Sequence, residues 1–226
     1  MLNIIFRPIL GMTCLMIVST ACSSPQEAGE ISEGAVTIEE VPVDPGEPHA
    51  VMETDRGAIV IRLLPDLAPM AVNNFVELAE TGFYTRTVFH RVLPGKMVQG
   101  GDPNSKDNDP YNDGQGNSGK FLKAEFSSFP MSRGTVAMAR QPGDPDSSSS
   151  QFFIALERSP EWDGEYTIFG EVVEGIELAE EISRTPLSKD ERLRGRPVVA
   201  MRIKQIVIEH REVVEESEGT EEDQAQ

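Results

Sequence analysis

The chain has 226 residues and a formal net charge of −18, a length that suits one or two domains with a buried core. The charge is uneven. Residues 23–49 hold seven acidic residues and no Lys or Arg, and residues 209–226 hold eight acidic residues and one Arg. Residues 50–208 therefore carry only −5. Acidic flanks argue against phosphate binding, so we expect no nucleic acid partner.

An apolar run over residues 8–21 follows Arg7 and ends at Cys22. The run is short for a bilayer span, which needs about 20 apolar residues, and its length is typical of the apolar part of a secretory signal. With small residues directly before Cys22, the segment resembles a bacterial lipoprotein signal, although Ser19 stands where Leu is usual. The resemblance implies a signal peptide over 1–21 and lipidation at Cys22. An ordinary cleaved signal or an uncleaved anchor are the alternatives.

The remaining chain divides by composition. Residues 22–49 are rich in Pro, Gly and Glu and predict a flexible acidic tether. Residues 50–209 predict one globular domain, and residues 210–226 predict an acidic disordered tail. Apart from Cys22 there is only Cys14, inside the signal, so the mature domain is expected to have no disulfide. The three His residues show no paired spacing, so we expect no metal site.

The globular domain starts with two predicted strands in AVMETDRGAIVIRLL, joined by a hairpin turn at residues 55–57. Pro69 then suits the first turn of a helix, and Gly82 suits its end. Between them, helical spacing predicts one buried apolar stripe of four residues: Val72, Phe75, Val76 and Ala79.

Short strands dominate the rest of the domain. They are TVFHRVL, MVQGG, GTVAMAR, SQFFIAL, YTIFGEV and PVVAMRIKQIVIE, with a second helix, GIELAEEI, before the last strand. Strands this short, separated by Gly and Pro, predict an antiparallel barrel or sandwich. Two long polar loops, residues 102–119 and 141–150, interrupt the strands. Loops of this length are often functional.

Four sequence blocks carry a family resemblance. In chain order, FHRVLPGKMVQGGD, GTVAMAR, SSQFFIAL and WDGEYTIFGEVVEGIELAEEI resemble the cyclophilin family of peptidyl-prolyl cis/trans isomerases, with polar residues closest to the bacterial branch. The resemblance covers residues 50–209. It implies a mainly β fold: a closed antiparallel eight-stranded β-barrel capped by two α-helices. It also implies isomerisation of X–Pro bonds, which requires no covalent step, and we expect no cofactor.

Such an enzyme needs a donor near the prolyl nitrogen, an apolar socket for the ring and polar groups for the peptide backbone. The resemblance implies that Arg91 is the catalytic donor and that Gln99 and Gln151 meet the substrate backbone. The other implied substrate-binding residues are Met97, Phe153, Ala139, Arg140, Trp162, Tyr166 and Lys96.

Strand alternation makes a further prediction about the residues around Arg91. Arg91 should share one face with Phe89 and Leu93, whereas His90 should point to the other face. Rotation about a peptide bond needs no proton transfer, so we expect a structural role for His90.

Four positions depart from the best-known family members. Lys96 stands where an aromatic residue lines the socket, and Arg140 replaces a usual Asn. Trp162 takes the place of a socket Leu, and Tyr166 that of a frequent His. These changes predict a shallower or less apolar proline pocket. We expect these changes to weaken the binding of cyclosporin-type inhibitors more than they reduce catalysis.

The sequence therefore predicts a monomeric prolyl isomerase that assists folding of proline-containing polypeptides in the bacterial cell envelope. We expect it on the periplasmic side, anchored to the membrane through Cys22. By analogy with enteric sorting, Ser23 favours the outer membrane. The alternative is a catalytically weak or inactive module that binds proline-containing peptides of an envelope partner. Lys96 and Arg140 favour that interpretation.

Overall fold

The computed structural model describes residues 46–212. Within this range, one antiparallel sheet of eight strands accompanies two α-helices. The strands are β1 Glu47–Thr54, β2 Ala58–Leu63, β3 Arg91–Leu93, β4 Met97–Gly100, β5 Thr135–Met138, β6 Phe152–Ala155, β7 Ile168–Glu174 and β8 Ile203–Arg211. The helices are α1 Pro69–Glu80 and α2 Ile176–Ser183. Four 3₁₀ helices lie in the loops: Pro103–Lys106, Pro145–Ser147, Pro160–Trp162 and Glu191–Leu193.

The ends of the sheet lie slightly beyond the predicted domain boundaries. β1 begins at Glu47 and β8 ends at Arg211, whereas the sequence predicts a domain over residues 50–209. The predicted signal, Cys22 and most of the tether and tail lie outside the described residues. Between residues 46 and 212, the helices are all too short or too polar to cross a membrane.

The strand order is β3–β4–β6–β5–β7–β2–β1–β8, and the sheet curls into a half-barrel. The prediction of a mainly β fold with eight antiparallel strands and two helices is confirmed. The prediction of a closed barrel is wrong, because no ladder joins β3 to β8 in the described chain. The segment before β3 meets the residues just before β8 through an isolated bridge between Val88 and Arg202 and through hydrogen bonds such as that from the Phe89 amide to the Met201 carbonyl at 3.0 Å. β3 is only three residues long, and the Val92 amide donates to the Gly195 carbonyl at 2.7 Å. A loop, not β8, covers this edge.

The inner face of the sheet forms the main core. Alternate residues of β3, β4 and β6 are fully buried there, including Val92, Val98, Phe152 and Ile154. α1 packs its predicted stripe on this core: Val72, Phe75 and Ala79 are buried, and Val76 is half-buried. Burying each large apolar side chain contributes about 1.5–3 kcal/mol, so this face carries much of the folding free energy.

Phe75 joins α1 to the sheet. Its ring centroid lies 5.1 Å from that of Tyr84, 5.0 Å from that of Phe169 and 5.7 Å from that of Phe152. The Tyr84 hydroxyl donates to the Ser150 carbonyl at 3.2 Å, and burial raises the pKa of Tyr84. This aromatic cluster fixes the residues directly before β6, including Ser150.

One prediction about the strand around Arg91 is wrong. Phe89 is fully buried in the inner core, while Arg91 is exposed on the opposite side of the sheet. Leu93 packs against an outer apolar cluster, which consists of Met97, Met131, Ala137, Phe153, Ala155 and Ile168. Regular strand geometry begins only at Arg91, so the alternation does not continue back through His90 to Phe89.

Candidate active site

Strand register places the predicted catalytic residues in one row on the outer face of the sheet. Arg91 on β3 lies opposite Gln99 on β4, and Gln99 lies opposite Phe153 on β6. Phe153 in turn lies opposite Ala137 on β5. Directly opposed residues share a face, so the alternation that buries Val92 inward turns this row outward. The structure therefore brings Arg91, Gln99 and Phe153 together.

A chain of side-chain hydrogen bonds runs through this row. Arg91 Nη1 donates to Gln99 Oε1 at 3.1 Å, and Gln99 Nε2 donates to Gln151 Oε1 at 2.9 Å. Gln151 Nε2 donates to the carbonyls of Gly114 and Gly116 at 3.1 and 2.8 Å. Both ends of the Gln99 amide are occupied, so Gln99 holds Arg91 in place while Arg91 keeps most of its five N–H donors for a ligand.

Asp102 anchors this chain of bonds and was not among the predicted site residues. Asp102 is fully buried, and its carboxylate accepts from the Asn104 amide at 2.8 Å and from the Gly114 amide. A Cβ at Gly116 would lie 2.1 Å from Asp102 Oδ1, so only glycine fits there. Asp102 thus fixes the loop whose carbonyls hold Gln151. The signals available were the acid after Gly-Gly and the length of the polar loop.

An apolar socket adjoins the row. Met97 and Phe153 form its floor, with 3% and 4% of their surfaces exposed. The rings of Trp162 and Tyr166 meet Phe153 edge-on, with centroid distances of 5.5 and 5.1 Å. Trp162 and Tyr166 are half-buried and pack against the same outer cluster. Four of the implied substrate-binding residues, Met97, Phe153, Trp162 and Tyr166, therefore lie together, and the edge-on aromatic pairs stabilise their arrangement.

Ala139 lies on the other side of the row. Its amide donates to the Gln151 carbonyl at 2.9 Å. Ala139 and Arg140 line a cavity of about 330 Å³ together with Gln99, Gln151 and the turn at Gly116. The two glutamines thus separate this cavity from the apolar socket, in the position needed to contact a peptide that crosses both.

His90 lies behind Arg91, and only 4% of its surface is exposed. Burial lowers the pKa of His90 to about 4, although the nearby Asp102 carboxylate opposes the shift and the charges of Arg196 and Arg91 support it. Its imidazole is therefore neutral near pH 7, and the expected structural role fits this burial. A neutral ring adds no charge beneath the Arg91 guanidinium.

With this geometry established, comparisons with known proteins identify the family. The sequence matches the family described as cyclophilin type peptidyl-prolyl cis-trans isomerase/CLD over residues 49–208. The chain belongs to this family.

Two curated relatives have names that refer to peptidyl-prolyl cis-trans isomerases. A peptidyl-prolyl cis-trans isomerase-like 2 of Gibberella zeae is 36% identical over 205 residues, which span 88% of this chain but only 33% of that protein. A probable peptidyl-prolyl cis-trans isomerase of Brucella suis is 39% identical over 159 residues, which span 68% of this chain and 80% of that protein.

A solved cyclophilin structure is also similar. A cyclophilin type isomerase of Cryptosporidium parvum, crystallised in the presence of the dipeptide Ala-Pro, matches with a TM-score of 0.64 and 30% identity. The match covers 72% of this chain and 99% of that chain.

Two basic side chains distinguish the socket of this cyclophilin. Lys96 Nζ lies 4.5 Å from the centroid of the Trp162 ring and forms an ion pair with Glu161. The hydrogen bond from Lys96 lowers the pKa of Glu161. A cation over an aromatic face is attracted to it, so Lys96 covers part of the Trp162 ring.

Arg140 makes the matching contact on the other wall. Its guanidinium carbon lies 5.1 Å from the Tyr166 ring centroid, and its Nη2 pairs with Glu165 Oε2 at 3.0 Å. The Nε group donates to the Glu165 carbonyl at 2.8 Å. Arg140 is therefore held against the rim, with 15% of its side chain exposed.

Cys22 lies outside the described residues. Within residues 46–212, no three His, Cys, Asp or Glu side chains lie close enough together to hold a metal ion.

Proposed function

We propose that this chain is a peptidyl-prolyl cis/trans isomerase that uses Arg91 as a non-covalent catalyst. The observation that carries the proposal is the bonded row from Arg91 through Gln99 to Gln151, set against a socket floored by Met97 and Phe153. It combines a permanently charged donor, neutral amides and an apolar ring site, as rotation about an X–Pro bond requires.

The chemistry follows from amide resonance. Rotation about the peptide bond faces a barrier of about 18–20 kcal/mol, because resonance keeps the bond planar. Twisting the bond localises a lone pair on the prolyl nitrogen. A guanidinium fixed by Gln99 donates to that lone pair and stabilises the twisted state more than the planar one. Every 1.36 kcal/mol of this difference gives about a tenfold rate increase.

The socket and the two glutamines hold the substrate while the peptide bond rotates. Met97 and Phe153 hold the prolyl ring, so one end of the bond stays fixed while the other end turns. The bonded row leaves one N–H of Gln99 and a lone pair on each glutamine oxygen, so Gln99 can donate and both glutamines can accept along the substrate backbone without adding charge. No proton is transferred and no covalent intermediate is formed.

An Arg91→Ala substitution tests the proposal. We expect kcat/KM for exchange of an Ala-Pro peptide, measured by NMR, to fall by about 30-fold or more, which corresponds to about 2 kcal/mol of lost transition-state stabilisation. Arg202→Ala is the control, because Arg202 is exposed away from the row. Wild-type exchange no faster than the background rate would rule out the enzyme.

A second candidate is a binding module with little or no catalysis. Lys96 favours it, because its ammonium covers the Trp162 ring and makes the socket smaller and less apolar. This candidate predicts saturable binding of the Ala-Pro peptide without faster exchange. Trp162 is the single tryptophan of the chain and half-buried in the socket wall, so its fluorescence reports binding directly.

We further propose that the enzyme belongs to the bacterial branch and assists the folding of proline-containing polypeptides in the cell envelope, as a monomer. The signal-like segment before Cys22 supports export, and the Brucella suis relative supports a bacterial origin. Lipidation at Cys22 would anchor the chain on the periplasmic side, with Ser23 favouring the outer membrane.

The proposed lipid anchor at Cys22 is tested separately from the isomerase activity. One acyl chain binds membranes weakly, but several on one Cys bind firmly. Cys22→Ser should therefore release a folded, active protein from the membrane fraction of a bacterial host that expresses the full chain. If the unsubstituted chain is already found in the soluble fraction, the lipoprotein assignment is wrong, whatever the isomerase assay shows.

A further inference from the structure

A second cavity, of about 300 Å³, lies beside Arg91 and Gln99. Its walls come from β3, from the loop over residues 110–115 and from the loop over residues 192–196. Four arginines line it, and the single acidic residue among its lining residues is Asp113. Those arginines are Arg91, Arg192, Arg194 and Arg196. This concentration of positive charge stands out in a chain of net charge −18.

The ion pairs around the cavity leave two of the arginines uncompensated. Arg196 pairs with Asp113, and both side chains are mostly buried. Arg192 pairs with Asp190 at 2.8 Å, and its guanidinium carbon lies 4.4 Å from the Tyr111 ring centroid.

Arg91 and Arg194 have no such partner. Within residues 46–212, Arg91 donates only to the neutral amide of Gln99, and exposed Arg194 has neither a hydrogen bond nor an ion pair. Two exposed guanidinium groups that line this cavity therefore lack a carboxylate.

The loop that supplies Arg194 is built onto the catalytic strand. The Gly195 carbonyl accepts from the Val92 amide at 2.7 Å, and the Arg196 carbonyl accepts from the Ser188 amide at 2.8 Å. Gly195 has a φ of +82°, and a Cβ there would lie 2.9 Å from the Val92 carbonyl oxygen, so a side chain would prevent this contact. The same Cβ position lies 3.6 Å from Arg91 Cγ. The arginines of the loop are therefore held next to the residue proposed to catalyse rotation.

We propose that this cavity is a subsite for a carboxylate side chain of the substrate, contacted by Arg194 and Arg192 beside Arg91. The inference deepens the proposed isomerase function and rests on it. Guanidinium groups bind carboxylates through paired hydrogen bonds, and their charge is permanent. The subsite would select polypeptides that carry Asp or Glu near the isomerised proline.

A peptide series tests the subsite on the full chain. Blocked peptides with a central Ala-Pro carry either Glu or its uncharged isostere Gln at each other position in turn. The measured quantity is the ratio of kcat/KM for the Glu peptide to that for the Gln peptide, at about 0.1 M salt, where charges more than about 10 Å away are screened. We expect one position at which the ratio reaches about three to five, the size of effect that an exposed ion pair gives.

Three variants identify the residues responsible. Arg194→Gln should bring the ratio at that position close to one, and Arg194→Glu should bring it below one. Arg133→Gln removes the same charge from an exposed arginine that pairs with Glu180 and does not line the cavity, so it should keep the wild-type ratio.

The outcomes separate the subsite from the catalytic proposal. A ratio near one at every position, with exchange still catalysed, overturns the subsite and leaves the isomerase intact. A wild-type preference that survives Arg194→Gln and Arg192→Gln also overturns the assignment. If no peptide is isomerised, the isomerase proposal fails, and the ratio of dissociation constants from Trp162 fluorescence then decides whether the carboxylate is bound.

Discussion

The buried side chain of His90 should make the free energy of unfolding depend on pH. It is nearly fully buried behind Arg91, and burial lowers its pKa from 6.5 to about 4. In the unfolded chain the imidazole regains water and its ordinary pKa. The folded state therefore resists protonation of His90 over a pH range in which the unfolded state accepts a proton readily.

The sign and size of the effect follow from this difference. Above pH 6.5 the ring is neutral in both states and contributes no pH dependence. As the pH falls below 6.5, the unfolded state binds the proton first, so the free energy of unfolding decreases. The decrease ends near pH 4, where folded His90 is protonated as well. The full difference corresponds to about 3 kcal/mol, since one pKa unit is worth about 1.4 kcal/mol.

His90→Gln isolates this contribution from the carboxylates that titrate over the same range. Urea unfolding of wild type and variant, followed by Trp162 fluorescence, gives two curves of stability against pH. Between about pH 7.5 and about pH 4.5, wild type should lose about 2–3 kcal/mol more than the variant. His210→Gln, an exposed histidine on β8, is the matched control. Parallel curves for wild type and His90→Gln would refute the reasoning.

Three further predictions concern the site itself. Gly116→Ala should lower kcat/KM by about 10-fold to 100-fold, because a Cβ 2.1 Å from Asp102 Oδ1 displaces the Gly116 carbonyl that holds Gln151. Full activity of this variant would contradict the prediction. Phe153→Leu should lower the free energy of unfolding by about 1–2 kcal/mol and raise KM, since it removes both edge-on aromatic contacts; an unchanged KM would exclude Phe153 from the socket. Lys96→Leu should lower KM for an Ala-Pro peptide with little change in Tm, because the lost ion pair with Glu161 is exposed; an unchanged or higher KM would show that Lys96 does not narrow the socket.

Most of the strand pattern could be predicted from the sequence, because it depends on local rules. Period-two alternation and the Gly and Pro turns indicate all eight strands, and the apolar spacing from Val72 to Ala79 indicates α1. The same rule failed at Phe89, where the chain is not yet a regular strand. Closure of the barrel could not be judged in this way. It depends on whether β8 or a loop residue, Gly195, accepts the hydrogen bond of the Val92 amide in β3, and no local pattern records that choice.

In the candidate site, too, the residues could be predicted from local motifs, but the contacts between them could not. Family motifs indicated Arg91, Gln99 and Gln151 individually, but their hydrogen bonds join β3, β4 and the start of β6 and are absent from any local pattern. Asp102 is harder still to predict, since an acid after Gly-Gly in a polar loop is ordinarily exposed. It is buried because the Gly114 and Asn104 amides satisfy its oxygens. The position of Arg91 thus depends, through Gln99 and Gln151, on the loop that Asp102 fixes, and substitutions in that loop should alter catalysis through Gln151.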